Sequence, residues 1–256
     1  MKKVNGSIIP TNRNGINRPR FTFVALALGL LLISAAPTAV AAPVGDTAEG
    51  LGRSNNLTAS DEARIRASFN EFNVGTAQQD KLIKKLRAGQ PLDAFTGVEP
   101  VLVEDRSTRT KEMVIERFAD GSFKAQSVER PLEAASASVT LRAVITNCSY
   151  SGGSGYAVYS GCSIAANWSG IINVAFVATY QHVNGGPSSI LSVGNSTQNC
   201  AGVSCSSPTV WIGRGTSIGT TPAWAQAQSR VQAAWGSWEV WVQLQVRPYT
   251  ATVSQS

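Results

Sequence analysis

The sequence predicts a mainly β fold: a β-sandwich or flattened barrel of about seven antiparallel strands, preceded by a small α-helix and β-hairpin region. Three observations carry this expectation. Composition breaks near residue 134. Residues 42–133 hold 13 basic and 15 acidic side chains. Residues 134–256 hold only Arg142, Arg214, Arg230, Glu239 and Arg247, together with all six tryptophans and all four cysteines. The uncharged part also alternates apolar and polar residues with period two, most plainly in WEVWVQLQVRP, residues 238–248. Its runs are separated by turn clusters such as SGGSG, NGGP and WGS, the punctuation of short antiparallel strands.

The chain starts with a different pattern. Residues 1–20 carry Lys2, Lys3, Arg13, Arg18 and Arg20 and no acid; an apolar run from Phe21 to Ala36 follows, then PTAVAAPVG. A basic segment, an apolar segment and a small-residue cleavage site in that order make a secretory leader at residues 1–41. The apolar run is shorter than the roughly 20 residues of a spanning helix, so no stable membrane span is expected after cleavage. Removing the leader's five basic residues changes the charge argument. The whole-chain excess of +6 falls to +1, from 17 Lys and Arg against 16 Asp and Glu. A near-neutral exported chain has no basic stripe for nucleic acid.

Residues 42–74 read as a flexible or partly helical segment. Ser60 is a candidate cap for a helix in which Ile65, Phe69 and Phe72 share a face. Residues 75–133 read as a helix and hairpin region. Thr76 with Gln79 is a candidate capping box, Leu82, Ile83 and Leu86 form an apolar stripe, and Gly89 and Pro91 end the helix. KEMVIERF and SFKAQSVERP then flank the turn ADG, where Asp120-Gly121 is a two-residue hairpin signal.

Residues 134–256 read as a disulfide-bonded β-sandwich. Candidate strands lie at 139–147, 156–164, 171–183, 189–195, 209–214, 223–233 and 238–247. Cys148, Cys162, Cys200 and Cys205 are separated by 13, 37 and 4 residues, without a CxxC. In an exported chain these are two disulfides and not a metal site. Three pairings are open. The local one, Cys148–Cys162 and Cys200–Cys205, is expected, because the first pair flanks a Gly-rich turn and the second closes a small loop.

QQDKLIKKLRAGQPLDAFTG with VIERFADGSFKAQSVERP, and NCSYSGGSGYAVYSGC with NCAGVSC, resemble a group of exported actinobacterial proteins. In that group a short helix and an ADGS-type hairpin precede a disulfide-bearing β domain. The resemblance covers roughly residues 75–256. It implies architecture and export, and it carries no catalytic residues.

The chemistry of most enzyme classes is missing. Glycosidases need two carboxylates at the scissile bond, and the β part has only Glu239. A Ser-His-Asp triad needs a histidine beside a carboxylate. The single histidine, His182, ends a strand with core-side parity and reads as structural. There is no GxSxG, HExxH, P-loop or GxGxxG motif. The protein is therefore expected to be non-enzymatic, without cofactor or metal.

What remains is an aromatic and amide face. In 223–233, Trp224, Gln226, Gln228 and Arg230 share one side. In 238–247, Trp241, Gln243, Gln245 and Arg247 do the same. With the turn at Trp235-Gly236, the expected register sets Gln228 across from Gln243 and Gln226 across from Gln245. It sets Arg230 over Trp241 and Arg247 over Trp224 as cation–π pairs. The same residues are candidate ligand contacts: indoles stack on sugar rings, and amides both donate to and accept from hydroxyls. The expected partner is a cell-wall glycan or glycopolymer, at or outside the cell envelope. A protein-interaction module (inhibitor, toxin component or coat-like protein) is the first alternative. An enzyme with a site at Arg214, His182 or the domain junction is the second.

The Ala-x-Ala site places the mature N-terminus at Ala42. N-terminal sequencing of protein from culture medium should begin there; a chain starting at Met1 would contradict the leader.

Overall fold

A computed structural model describes residues 57–131 and 148–256. The leader, its cleavage site, the compositional break near 134 and the candidate strand at 139–147 lie outside the described residues. Helix α1 spans Ala59–Glu71 and helix α2 spans Thr76–Arg87. The cap of α1 is Thr58, not Ser60. The Thr58 hydroxyl accepts from the Asp61 N–H at 3.1 Å and the Asp61 carboxylate accepts from the Thr58 N–H at 3.3 Å. This reciprocal box outcompetes a lone serine one turn position later. Helix α2, by contrast, has no side-chain cap; Gly75 takes the cap position, and Thr76 is already helical. Gln79 turns inward instead, donating to Asn70 Oδ1 at 2.7 Å and to the Val74 carbonyl at 2.9 Å. Leu82, Ile83 and Leu86 form the buried stripe. Gly89, at φ +68°, closes the helix as expected, its N–H bonded to Leu86 and that of Gln90 to Lys85.

Two antiparallel sheets follow. The first contains β1 (Leu102–Asp105), β2 (Lys111–Arg117), β3 (Phe123–Glu129), β4 (Ser149–Gly153), β5 (Tyr156–Trp168), β6 (Ile172–Val183) and β7 (Ser189–Cys200). Its order is β1-β2-β3-β5-β6-β7, with β4 pairing the first half of β5. The second contains β8 (Ser204–Cys205), β9 (Thr209–Arg214), β10 (Ala223–Ala233), β11 (Gly236–Val246) and β12 (Ala251–Gln255). Its order is β12-β11-β10-β8, and β9 pairs the other part of β10. The expected sandwich is thus present, with more strands than the seven expected. Strand β5 runs on through Ala165-Ala166-Asn167, residues of low β propensity, because β3 and β6 pair it on both sides.

The β2–β3 loop is Ala119-Asp120-Gly121, the expected turn, one residue longer than the Asp120-Gly121 signal alone. Phe118 and Ser122 pair through Phe118 N–H at 3.0 Å, and Gly121 takes φ +83°, the conformation of a type I turn closed by a glycine bulge. The composition change near 134 is not a break in the sheet, since β3 pairs with β5 from Lys124–Trp168 to Val128–Ile164. At that seam the buried Ser169 hydroxyl accepts from the Phe123 N–H at 2.9 Å and donates to the Phe123 carbonyl at 2.8 Å. Both helices then dock on turns where a side chain would not fit. A Cβ on Gly170 would meet Ser68 Cβ at 2.5 Å, and one on Gly121 would meet Gln78 Cγ at 2.4 Å.

The result is one continuous core. Phe69 and Phe72 pack on Phe123, with ring centroids 6.4 and 4.3 Å apart. Phe95 packs on Trp235 and Trp238 at 6.2 and 5.7 Å. The disulfides are Cys148–Cys162 and Cys200–Cys205, the local pairing. Hairpin register alone would put Cys148 opposite Gly161; the bulge at Gly161, with φ +70°, brings Cys162 to the bridge instead. Among the described residues no helix is long and apolar enough to cross a membrane.

Replacing Ser169 by Ala strands the buried Phe123 N–H, at a cost of about 1–3 kcal/mol. Because the core is shared, helical circular dichroism and tryptophan fluorescence should lose stability together in urea. Separate transitions for the two signals would contradict a single cooperative unit.

Candidate functional site

Strands β9 to β12 present one outer face. Alternation turns Ala223, Ala225, Ala227, Ser229 and Val231 of β10, and Val240, Val242, Leu244 and Val246 of β11, into the core. The intervening residues face out. The register of β10 and β11 differs from the expected one by two residues. The tight loop is Ala234-Trp235, closed by Ala233 opposite Gly236. In this register the Trp235 and Trp238 indoles stack 5.9 Å apart and both lean on Phe95, a contact from outside the hairpin. A shift of two leaves parity intact, so the same side chains share the face.

Their neighbours change, however. Trp224 lies opposite Gln245, Gln226 opposite Gln243, Gln228 opposite Trp241 and Arg230 opposite Glu239. The expected Arg230–Trp241 and Arg247–Trp224 stacks therefore do not form. The cation–aromatic contact seen among the described residues is Lys124 over Phe118, at 5.9 Å. Arg247 lies just beyond the strand. Strand β11 ends at Val246, and the Arg247 carbonyl accepts from His182 Nδ1 at 2.7 Å.

The amide ladder does form. Gln245 donates to Gln243 at 2.8 Å, Gln243 to Gln226 at 3.1 Å, and Gln226 to Gln228 at 3.2 Å. A primary amide has two N–H groups and two acceptor lone pairs. Each ladder bond uses one of each, so every glutamine keeps hydrogen-bonding capacity toward solvent. The ladder also fixes the side chains in place, which lowers the entropy lost when something binds.

Three indoles surround it. Trp224 stands beside Gln245, Trp241 beside Gln228, and Trp211 of β9 opposite Gln226. All three are partly exposed. Trp224 lies over Gly213, where a Cβ would come within 2.0 Å of its ring. The indole therefore packs across the neighbouring strand and remains partly exposed. Trp211 was not among the candidates from sequence. It has outward parity in TVWIGR, but β9 reaches β10 through a loop, so no turn signalled that pairing. The row continues onto β12, with Ser254 opposite Gln243 and Thr252 opposite Gln245.

The alternative sites are not assembled together. Arg214 pairs with Trp224 at the edge of this face and donates to the Pro222 carbonyl. His182 belongs to the other sheet, edge-on to Tyr159 and Tyr180 at 5.4 and 5.7 Å. Burial lowers its pKa, against the opposing effect of its bond to Arg247. Since a carbonyl only accepts, Nδ1 carries the proton. Among the described residues no cluster of His, Cys, Asp and Glu is placed to hold a metal ion.

No family model matches the chain, and no curated protein matches it. A crystal structure of a hypothetical protein from Listeria monocytogenes EGD-e aligns at 17% identity with a TM-score of 0.31, covering 57% of this chain and 94% of that one. A likeness that slight carries no argument about fold or function.

Proposed function

We propose that this is an exported, non-enzymatic binding protein that holds a glycan or glycopolymer at or outside the cell envelope, through the outer face of β9 to β12. One observation carries this reading. Four interlinked glutamine amides, each with spare donors or acceptors, are bordered by three partly exposed indoles on an almost uncharged sheet face. A sugar ring offers the matching pair of surfaces: an apolar CH face for an indole, and hydroxyls that both give and take hydrogen bonds. The two disulfides are compatible with an oxidising, extracellular setting. The single carboxylate of the face, Glu239, supports binding over glycosidic hydrolysis, which takes two.

Purified protein should sediment with cell-wall polysaccharide. Trp224→Ala and Trp241→Ala should each weaken this about tenfold, equivalent to ~1.4 kcal/mol. Because the contacts are neutral, raising the salt concentration should change affinity little; exposed ion pairs would respond strongly. Retention by both tryptophan variants at wild-type strength would remove the face from the function.

A further inference from the structure

The opposite side of the molecule carries a second polar recess. Two hollows, each of about 300 Å³, lie on the outer face of the first sheet beside α1. They share Glu71, Asn167, Asn173 and Asn199, so they form one trough. Its volume reaches the range of small-ligand sites.

The sheet register builds its lining. Asn167 of β5, Asn173 of β6 and Asn199 of β7 are direct cross-strand neighbours. The next row is Ser127, Ala165, Ala175 and Thr197. The floor is thus small and apolar, with amides along one side and hydroxyls at both ends. Helix α1 holds two of the amides. Asn167 donates to Ser68 Oγ at 3.2 Å and accepts from the Gly170 N–H at 2.7 Å, while Asn199 accepts from Arg64. The central amide, Asn173, forms no hydrogen bond among the described residues. Two charged side chains on the rim, Glu71 and Lys111, form no ion pair there.

We propose that this trough is a second saccharide site, taking consecutive units of an N-acetylated pyranose chain, separate from the tryptophan face. The amide of Asn173 can pair with an acetamido group, donor to acceptor and acceptor to donor, and the alanine floor accommodates its methyl. The rim carboxylate and ammonium are placed for ring hydroxyls. An extended peptide fits less well. Peptides join sheets along an edge, through main-chain bonds, but this trough crosses the sheet face, where the main chain is already paired. The amides recur at the strand spacing, roughly 4.8 Å, out of step with a peptide repeat of about 3.3 Å per residue. A 1→4-linked pyranose advances by nearly one strand spacing.

The test is titration of the full-length protein with chitotetraose, with cellotetraose as the comparison. Asn173→Ala removes a side chain that holds nothing in place. Ala175→Leu fills the floor. Trp224→Ala reports on the other face, and thermal melts confirm that each variant is folded. The expected result is chitotetraose binding at least about tenfold tighter than cellotetraose, weakened about tenfold or more by Asn173→Ala and Ala175→Leu, and unchanged by Trp224→Ala. No binding of chitotetraose at millimolar concentration overturns the proposal. So does binding unmoved by either trough variant. If Trp224→Ala alone abolishes it, the tryptophan face stands without the trough. Equal affinity for the two sugars overturns the acetamido assignment.

Discussion

The fold depends on one small buried junction. The Ser169 hydroxyl closes both main-chain groups of Phe123, and so joins β3 to the β5–β6 turn. Much of the segment N-terminal to the sandwich is attached through that region, with Phe95 on Trp235 and Trp238 as a second point of attachment. Phe123 carries Phe69 and Phe72 of the helical segment, and Gly170, the next residue after Ser169 in the same turn, is the surface on which α1 rests. Trp168, buried alongside, donates to the Ser256 carbonyl and so reaches the second sheet. A hydroxyl suits this position because it donates and accepts at once. An alanine would leave the buried Phe123 N–H without a partner, while the Phe123 carbonyl would keep only the Ser169 N–H, at 3.0 Å.

Charge and amide chemistry are divided between the two parts. Every ion pair found among the described residues lies between Asp61 and Arg130. There charge fastens helices and hairpin together. Asp120, at the β2–β3 turn, is the clearest case. Burial pushes its carboxyl pKa upward, but Lys85, Ser122 and the Asp93 N–H together hold it below the ordinary value. The outer face of β9 to β12 is almost neutral instead, so the hydrogen bonding of its glutamines persists across pH and salt conditions that weaken exposed ion pairs.

How much was legible in the sequence follows from what each signal measures. Period-two alternation reports which face a side chain occupies, so the inward alanines of β10 and the outward glutamines could be read directly. It does not report register, because a slip of two residues gives the same faces. The observed register goes with Trp235 and Trp238 leaning on Phe95, a contact more than a hundred residues away that no local signal carries. Local chemistry had the same limit at Ala119-Asp120-Gly121, where the turn could be read but not the bonds of Asp120 to Lys85 and Asp93, 35 and 27 residues away. The trough was hidden for a related reason. ANW, INV and QNC each show one outward asparagine, and only the pairing of β5, β6 and β7 places the three in a row.

That row and the glutamine ladder also bear on why such faces persist. Neutral, β-rich segments with Asn and Gln ladders are prone to stack with copies of themselves. Natural sheets guard against this with charge, especially at edges. Here the ladder glutamines sit where β9 pairs β10 and β12 pairs β11, so these segments are flanked by strands on both sides. The side-chain face itself has no such protection. A lysine or glutamate in place of any ladder glutamine would give solubility without disturbing the core, since all four point outward. An outer face kept neutral where charge would be safer fits a surface selected for what it contacts, and amides linked in advance, with bonding capacity to spare, suit a hydroxyl-rich partner better than an empty surface.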